Sequence, residues 1–143
     1  MDRVSRLKHI AGCFAFALPL VLACGDSFAP STDNMAGDYH LTSFTSTDTL
    51  GTTVNWVAIG ATMTLSLKTN DSVTGHIFVP GGAPGGGDLD ADMAGTWVLT
   101  GDLVTFNQAA DTFVRNIAFI ASQNRLSGDK QFSSGRIRIT LTK

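Results

Sequence analysis

Three carboxylates at alternate positions, Asp88, Asp90 and Asp92 in "DLDAD", are the densest set of metal-type ligands in the chain. They follow the glycine-rich run "PGGAPGGG", Pro80 to Gly87. Calcium takes six to eight oxygens, so carboxylates converging at a loop could hold it. The EF-hand pattern fails here, because its glycine and glutamate positions are occupied by Met93 and Leu99. The competing reading is a solvated acidic loop. A second chemical feature is Arg115, which shares strand parity with Phe113, Ile117 and Phe119. On an inward face its guanidinium would need a carboxylate or an anionic ligand headgroup; the alternative is a structural ion pair or a place at the wet rim. His40 and His76 lack metal-ligand spacing. No serine sits in a Gly-x-Ser-x-Gly turn, and every acid is Asp, so the sequence offers no nucleophile elbow and no Glu for paired-carboxylate work. A non-enzymatic protein without a cofactor is expected.

The N-terminus of the 143-residue chain reads as an export signal. Arg3, Arg6 and Lys8 precede an apolar run from Ile10 to Ala23. A transmembrane helix needs about 20 apolar residues, so this run is too short. It ends in "VLAC", which resembles the lipobox of bacterial lipoproteins. The resemblance implies cleavage before Cys24, a lipid on that cysteine, and attachment to the cell-envelope membrane. Gly25 lacks the Asp that often retains such proteins at the inner membrane, so the outer membrane or the periplasmic side is favoured. Cys13 would leave with the signal, and the mature domain would hold no disulfide. The expected organisation is a signal over 1–23, a flexible tether over 24–34 containing Pro30, and a domain over 35–143.

Charge is unevenly spread although the net value is only −2. From Gly25 to Asp111 every charged side chain is acidic except Lys68; from Thr112 onward every one is basic except Asp129. An acidic domain makes nucleic acid an unsuitable partner.

The domain carries strand and turn signals. "ATMTLSLK" alternates Met63, Leu65 and Leu67 against Thr62, Thr64 and Ser66, the half-wet pattern of an antiparallel sheet. Val73, Ile77 and Val79 share a face that Gly75 interrupts, as at a bulge or bend. Gly101-Asp102 joins "TWVLT" to "LVTF" as a tight type II′ hairpin would. "TFVRNIAFIA" is apolar on both faces; it suits a strand better than a short helix. In "GRIRITLTK", Ile137, Ile139 and Leu141 point one way and Arg136 and Arg138 the other. "MAGDYHLT" (Met35–Thr42) and "MAGTWVLT" (Met93–Thr100) share five residues, and both read as strand openings that carry a wide ring inward. Eight or nine short strands with short connections predict an all-β, antiparallel up-and-down barrel. Closure leaves no exposed edge, and an eight-stranded interior is either filled or holds one small ligand. A β-sandwich is the weaker alternative.

The Gly-x-aromatic-x-Leu start at Gly37 and "GTWVLTGDLVTF" from Gly95 resemble the bacterial lipocalin-like lipoproteins. In that family the first strand usually carries Trp, where this chain has Tyr39. The resemblance implies a pocket at the open end of the barrel and an arginine, Arg136 or Arg138, over the Trp. Expected pocket walls are Met63, Leu65, Ile77, Trp97, Leu99, Phe113, Ile117 and Ile139, with Arg115 at the ligand's head. The expected partner is a small apolar or amphipathic ligand. The alternative is a filled barrel that serves as a structural or protein-interaction module of the envelope, using its outer face or the Pro80–Gly87 loop.

Overall fold

The computed structural model describes residues 28–108 and 112–143. The signal segment, Cys13 and Cys24 lie outside them. Among the described residues nine strands form one antiparallel sheet: β1 (Gly37–Asp48), β2 (Thr53–Asn55), β3 (Thr62–Leu67), β4 (Ser72–Val79), β5 (Leu89–Thr100), β6 (Leu103–Gln108), β7 (Phe119–Ser122), β8 (Arg125–Phe132) and β9 (Gly135–Thr142). Each strand from β3 to β9 pairs with the next, and β1 pairs with both β3 and β9. The sheet is therefore a closed barrel of β1 and β3 to β9, as the strand pattern predicts. The short β2 is an addition, paired with Thr45–Thr47 of β1 beyond the reach of β3.

Closure depends on β1. Its N-terminal part, Gly37–His40, pairs with Thr64–Leu67 of β3, while His40–Asp48 pairs with β9. The register against β9 shifts between Leu41 and Ser43. This β-bulge adds a residue and bends the strand. It also resets the alternation: Tyr39 points inward before the bulge, and Phe44 points inward after it.

The cleanest sequence periodicities are borne out. Met63, Leu65 and Leu67 are buried, as are Val73, Ile77 and Val79, and Ile139 and Leu141. Gly101 has φ 63 while Asp102 has no positive φ, the sign pattern of a type II′ turn joining Thr100 to Leu103. Gly75 makes no bulge, because both its pairings run in unbroken register. It permits a close approach instead: a Cβ there would lie 2.2 Å from the Thr64 carbonyl oxygen.

Three expectations change. The repeated octapeptide opens only one strand. Gly37 begins β1, but β5 already begins at Leu89, so Met93–Thr100 is its second half. Tyr39 and Trp97 still reach the same end of the barrel, the base, because β1 starts there and β5 finishes there. "TFVRNIAFIA" is neither one strand nor an α-helix: Phe113–Asn116 is a 3₁₀ turn, and β7 begins at Phe119. Finally, the end of the expected tether is structured. Ser31 caps a helical turn, α1 (Thr32–Met35), through a reciprocal capping box with Asn34. Met35 is fully buried and Phe28 packs on the core, so the domain extends N-terminal of Met35.

Candidate ligand-binding site

The barrel is sealed at its base. The Tyr39 hydroxyl donates to the Met35 carbonyl oxygen at 2.8 Å, and burial pushes its pKa up to about 12. Trp97 Nε1–H donates to the Lys68 carbonyl oxygen at 2.9 Å. Arg136 and Arg138 stand exposed on the outer wall, so neither covers Trp97 as the family resemblance implies. At the base a different cation, Lys143, lies over an aromatic ring, that of Tyr39. Its Nζ lies 5.5 Å from the Tyr39 ring centroid and donates to the Asn34 carbonyl oxygen at 2.6 Å. Burial lowers its pKa.

The opposite end, the mouth, holds an open pocket of about 250 Å³. Its aromatic wall has three sources. The bulge turns Phe44 of β1 inward. Trp56 follows β2, its amide hydrogen-bonded to the Phe44 carbonyl oxygen at 2.9 Å. Phe113 begins the 3₁₀ turn. The Phe44 ring stacks on Trp56 at 5.9 Å between centroids and meets Phe113 at 5.3 Å. Val79, Leu89 and Ile137, at strand ends, complete the apolar lining. The indole N–H is taken by Ser46 Oγ at 2.7 Å, which leaves the ring face as the surface offered to a guest. Among the described residues the lining includes Ser46 and Ser134 but no charged side chain. This arrangement can hold a small, uncharged, apolar molecule by ring packing.

Most of the expected pocket walls lie elsewhere. Met63, Leu65, Ile77, Trp97, Ile117 and Ile139 are each 2% exposed or less. A wall that admitted a water-sized guest would keep accessible surface; these side chains spend theirs on one another, filling the lumen. Leu99 is half-buried against the same core. Of the nine residues expected around a ligand, Phe113 borders the mouth pocket. Met63 also borders a side groove between β1 and the 3₁₀ turn Val57–Ile59.

Arg115 is not inside the barrel. The 3₁₀ turn has three residues per turn, so Val114 and Ile117 share the buried side and Arg115 projects outward. The three carboxylates do not converge either. Asp88 Oδ1 accepts the Gly81 amide at 2.8 Å within its loop. Asp90 and Asp92, on the outer face of β5, flank His76 of β4, with Nε2 to Asp90 at 3.3 Å and Nδ1 to Asp92 at 2.9 Å. Among the described residues no group of three His, Cys, Asp or Glu could hold a metal ion.

The mouth residues Phe44, Trp56, Val79, Leu89 and Ile137 were not expected as a site. One signal was available: Leu41 and Phe44 are three apart, which breaks period two and is how a bulge reads in sequence.

No family model and no curated relative matches the chain. Among solved structures, a crystal structure of a mutant of the fluorescent protein UnaG is similar at 14% identity and a TM-score of 0.42. The match covers 79% of this chain and 98% of that one.

Proposed function

We propose that this protein is an exported lipoprotein of the bacterial cell envelope whose barrel binds a small, uncharged apolar ligand at its mouth. The aromatic pocket of Phe44, Trp56 and Phe113, apolar and open, is the observation that carries this reading. Its 250 Å³ lies just below the range of about 300–1,000 Å³ typical of drug-sized ligands. The guest is therefore small, or it leaves part of itself in solvent. The lumen beneath is full and adds rigidity rather than volume.

Attachment rests on "VLAC" and the lipid it implies on Cys24. Between that residue and Phe28, which packs on the core, the chain reaches at most about 14 Å at 3.3–3.6 Å per residue. The chain enters at the base, beside α1. A lipid on Cys24 would thus hold the base near the bilayer and aim the mouth away from it.

Two experiments test this. N-phenyl-1-naphthylamine, an uncharged apolar dye, should brighten saturably with the full chain and lose that response in Trp56→Ala and Phe113→Ala. A dye response that both variants retain would remove the mouth as the site. Metabolic palmitate labelling should be abolished by Cys24→Ser; labelling that survives would dismiss the anchor.

The packed lumen favours a second reading, a filled barrel that binds an envelope protein rather than a small molecule. Failure of the wild-type chain to bind any uncharged apolar dye would turn the assignment that way.

A further inference from the structure

The outer wall of the barrel carries a second apolar surface, unrelated to the mouth. Leu103 of β6 and Ile120 of β7 are direct cross-strand partners and point outward, 40% and 54% exposed. Single exposed apolar residues are ordinary. Here two are paired across strands, and with Ala118 they floor a groove of about 400 Å³. The far side of the groove is formed by β8 and β9, where Ser127 pairs with Thr140 and Asp129 with Arg138.

The charge on that far side is unbalanced. Arg136 grips Asp129 with both Nε and Nη2 at 2.6 Å, one to each carboxylate oxygen. Arg138 reaches the same carboxylate through Nε alone, at 3.2 Å. Two guanidiniums thus share one carboxylate, and the cluster keeps one net positive charge. The terminal nitrogens of Arg138 have no protein partner among the described residues. A guanidinium with free donors in a planar fork suits an oxyanion with two accepting oxygens.

From this juxtaposition we propose that the groove binds a single-chain amphipathic anion. Its carboxylate or phosphate would sit on Arg138, and its hydrocarbon tail would lie over Ile120 and Leu103. The tail covers apolar surface that the fold leaves wet, and the head supplies the second negative charge, since Arg136 and Arg138 share the single carboxylate of Asp129. The site is independent of the mouth. Arg138 follows Ile137 directly in β9, so their side chains leave the wall on opposite sides, and the two cavities share no lining residue.

Calorimetric titration of the full chain with decanoate and with decyl phosphate, below their micelle concentrations, tests the proposal. Decyl maltoside serves as the uncharged control. Saturable one-to-one binding of either anion is expected, with the control at least about ten-fold weaker. Arg138→Gln, an exposed substitution, should weaken the anions about ten-fold, and added salt should weaken them further. Ile120→Ser should weaken both anions without removing the salt dependence. Trp56→Ala should leave this binding unchanged, which separates it from the mouth. Equal affinity for decyl maltoside, undiminished binding in Arg138→Gln, or loss in Trp56→Ala would each overturn it.

Discussion

The Tyr39 hydroxyl donates to the carbonyl oxygen of Met35, four residues earlier, and both residues are fully buried. This bond ties the α1 turn to the first strand and so seals the base. Tyr39→Phe keeps the ring but leaves the Met35 carbonyl buried without its donor. Leaving a buried acceptor unsatisfied costs about 1–3 kcal/mol. Urea unfolding should show a lower midpoint with an unchanged slope. A midpoint equal to that of the wild type would mean that the carbonyl finds water and that the turn is not locked by this bond.

Burial of the same phenol makes stability sensitive to alkali. Its pKa rises from 10.0 to about 12 on folding. The folded state then holds the proton more tightly than the unfolded state. The associated stability is fully present below pH 10 and is lost as pH climbs toward 12, by about 2 kcal/mol over the window. Lys143 acts with the opposite sign, since burial lowers its pKa, and it partly offsets the loss. The urea midpoint should therefore fall between pH 10 and 12 in the wild type and fall less in Tyr39→Phe. Parallel pH profiles for the two proteins would refute a phenol-based cause.

The contrast between base and mouth shows what a sequence can reveal. Met63, Leu65 and Leu67 declare a strand because their period follows from the pleat alone. Tyr39 and Trp97 lie on uninterrupted stretches, so their inward aim was readable. Phe44 becomes inward only because an extra residue enters β1 opposite β9, which is a property of the pairing. Arg115 leaves the inward set because four residues of "TFVRNIAF", Phe113–Asn116, coil into a 3₁₀ turn between strands that would otherwise run together. In both cases the local pattern was sound and a change of phase overrode it. Such changes gather at the ends of strands, where the mouth is built, so the barrel was legible and its opening was not.

Gly75 tests how closely β3 and β4 approach. A Cβ there would stand 2.2 Å from the Thr64 carbonyl oxygen and 2.9 Å from Leu65 Cδ2. The leucine can turn aside, but the backbone oxygen belongs to the ladder and cannot. Gly75→Ala should cost about 1–3 kcal/mol by overpacking, or more if the ladder parts. Gly87→Ala, with nothing within 4 Å of its would-be Cβ, should change stability by less than about 0.5 kcal/mol. Equal thermal midpoints for the two variants would show that the strands can separate freely at Gly75.

The two tryptophans report separately on mouth and base. Trp56 is half-buried and lines the open pocket, whereas Trp97 is 1% exposed beneath it. Iodide should quench the Trp56 component and spare Trp97. In Trp56→Phe the remaining emission should be blue-shifted and resistant to iodide, with little loss of stability, since a ring still meets Phe44. Trp97→Phe removes part of a fully packed ring and the donor to the Lys68 carbonyl, so it should cost about 2–4 kcal/mol and leave a quenchable spectrum. Iodide access to Trp97 in the folded protein would mean that water reaches the lumen. The interior would then be a cavity, and a ligand could sit deep in the barrel instead of at its rim.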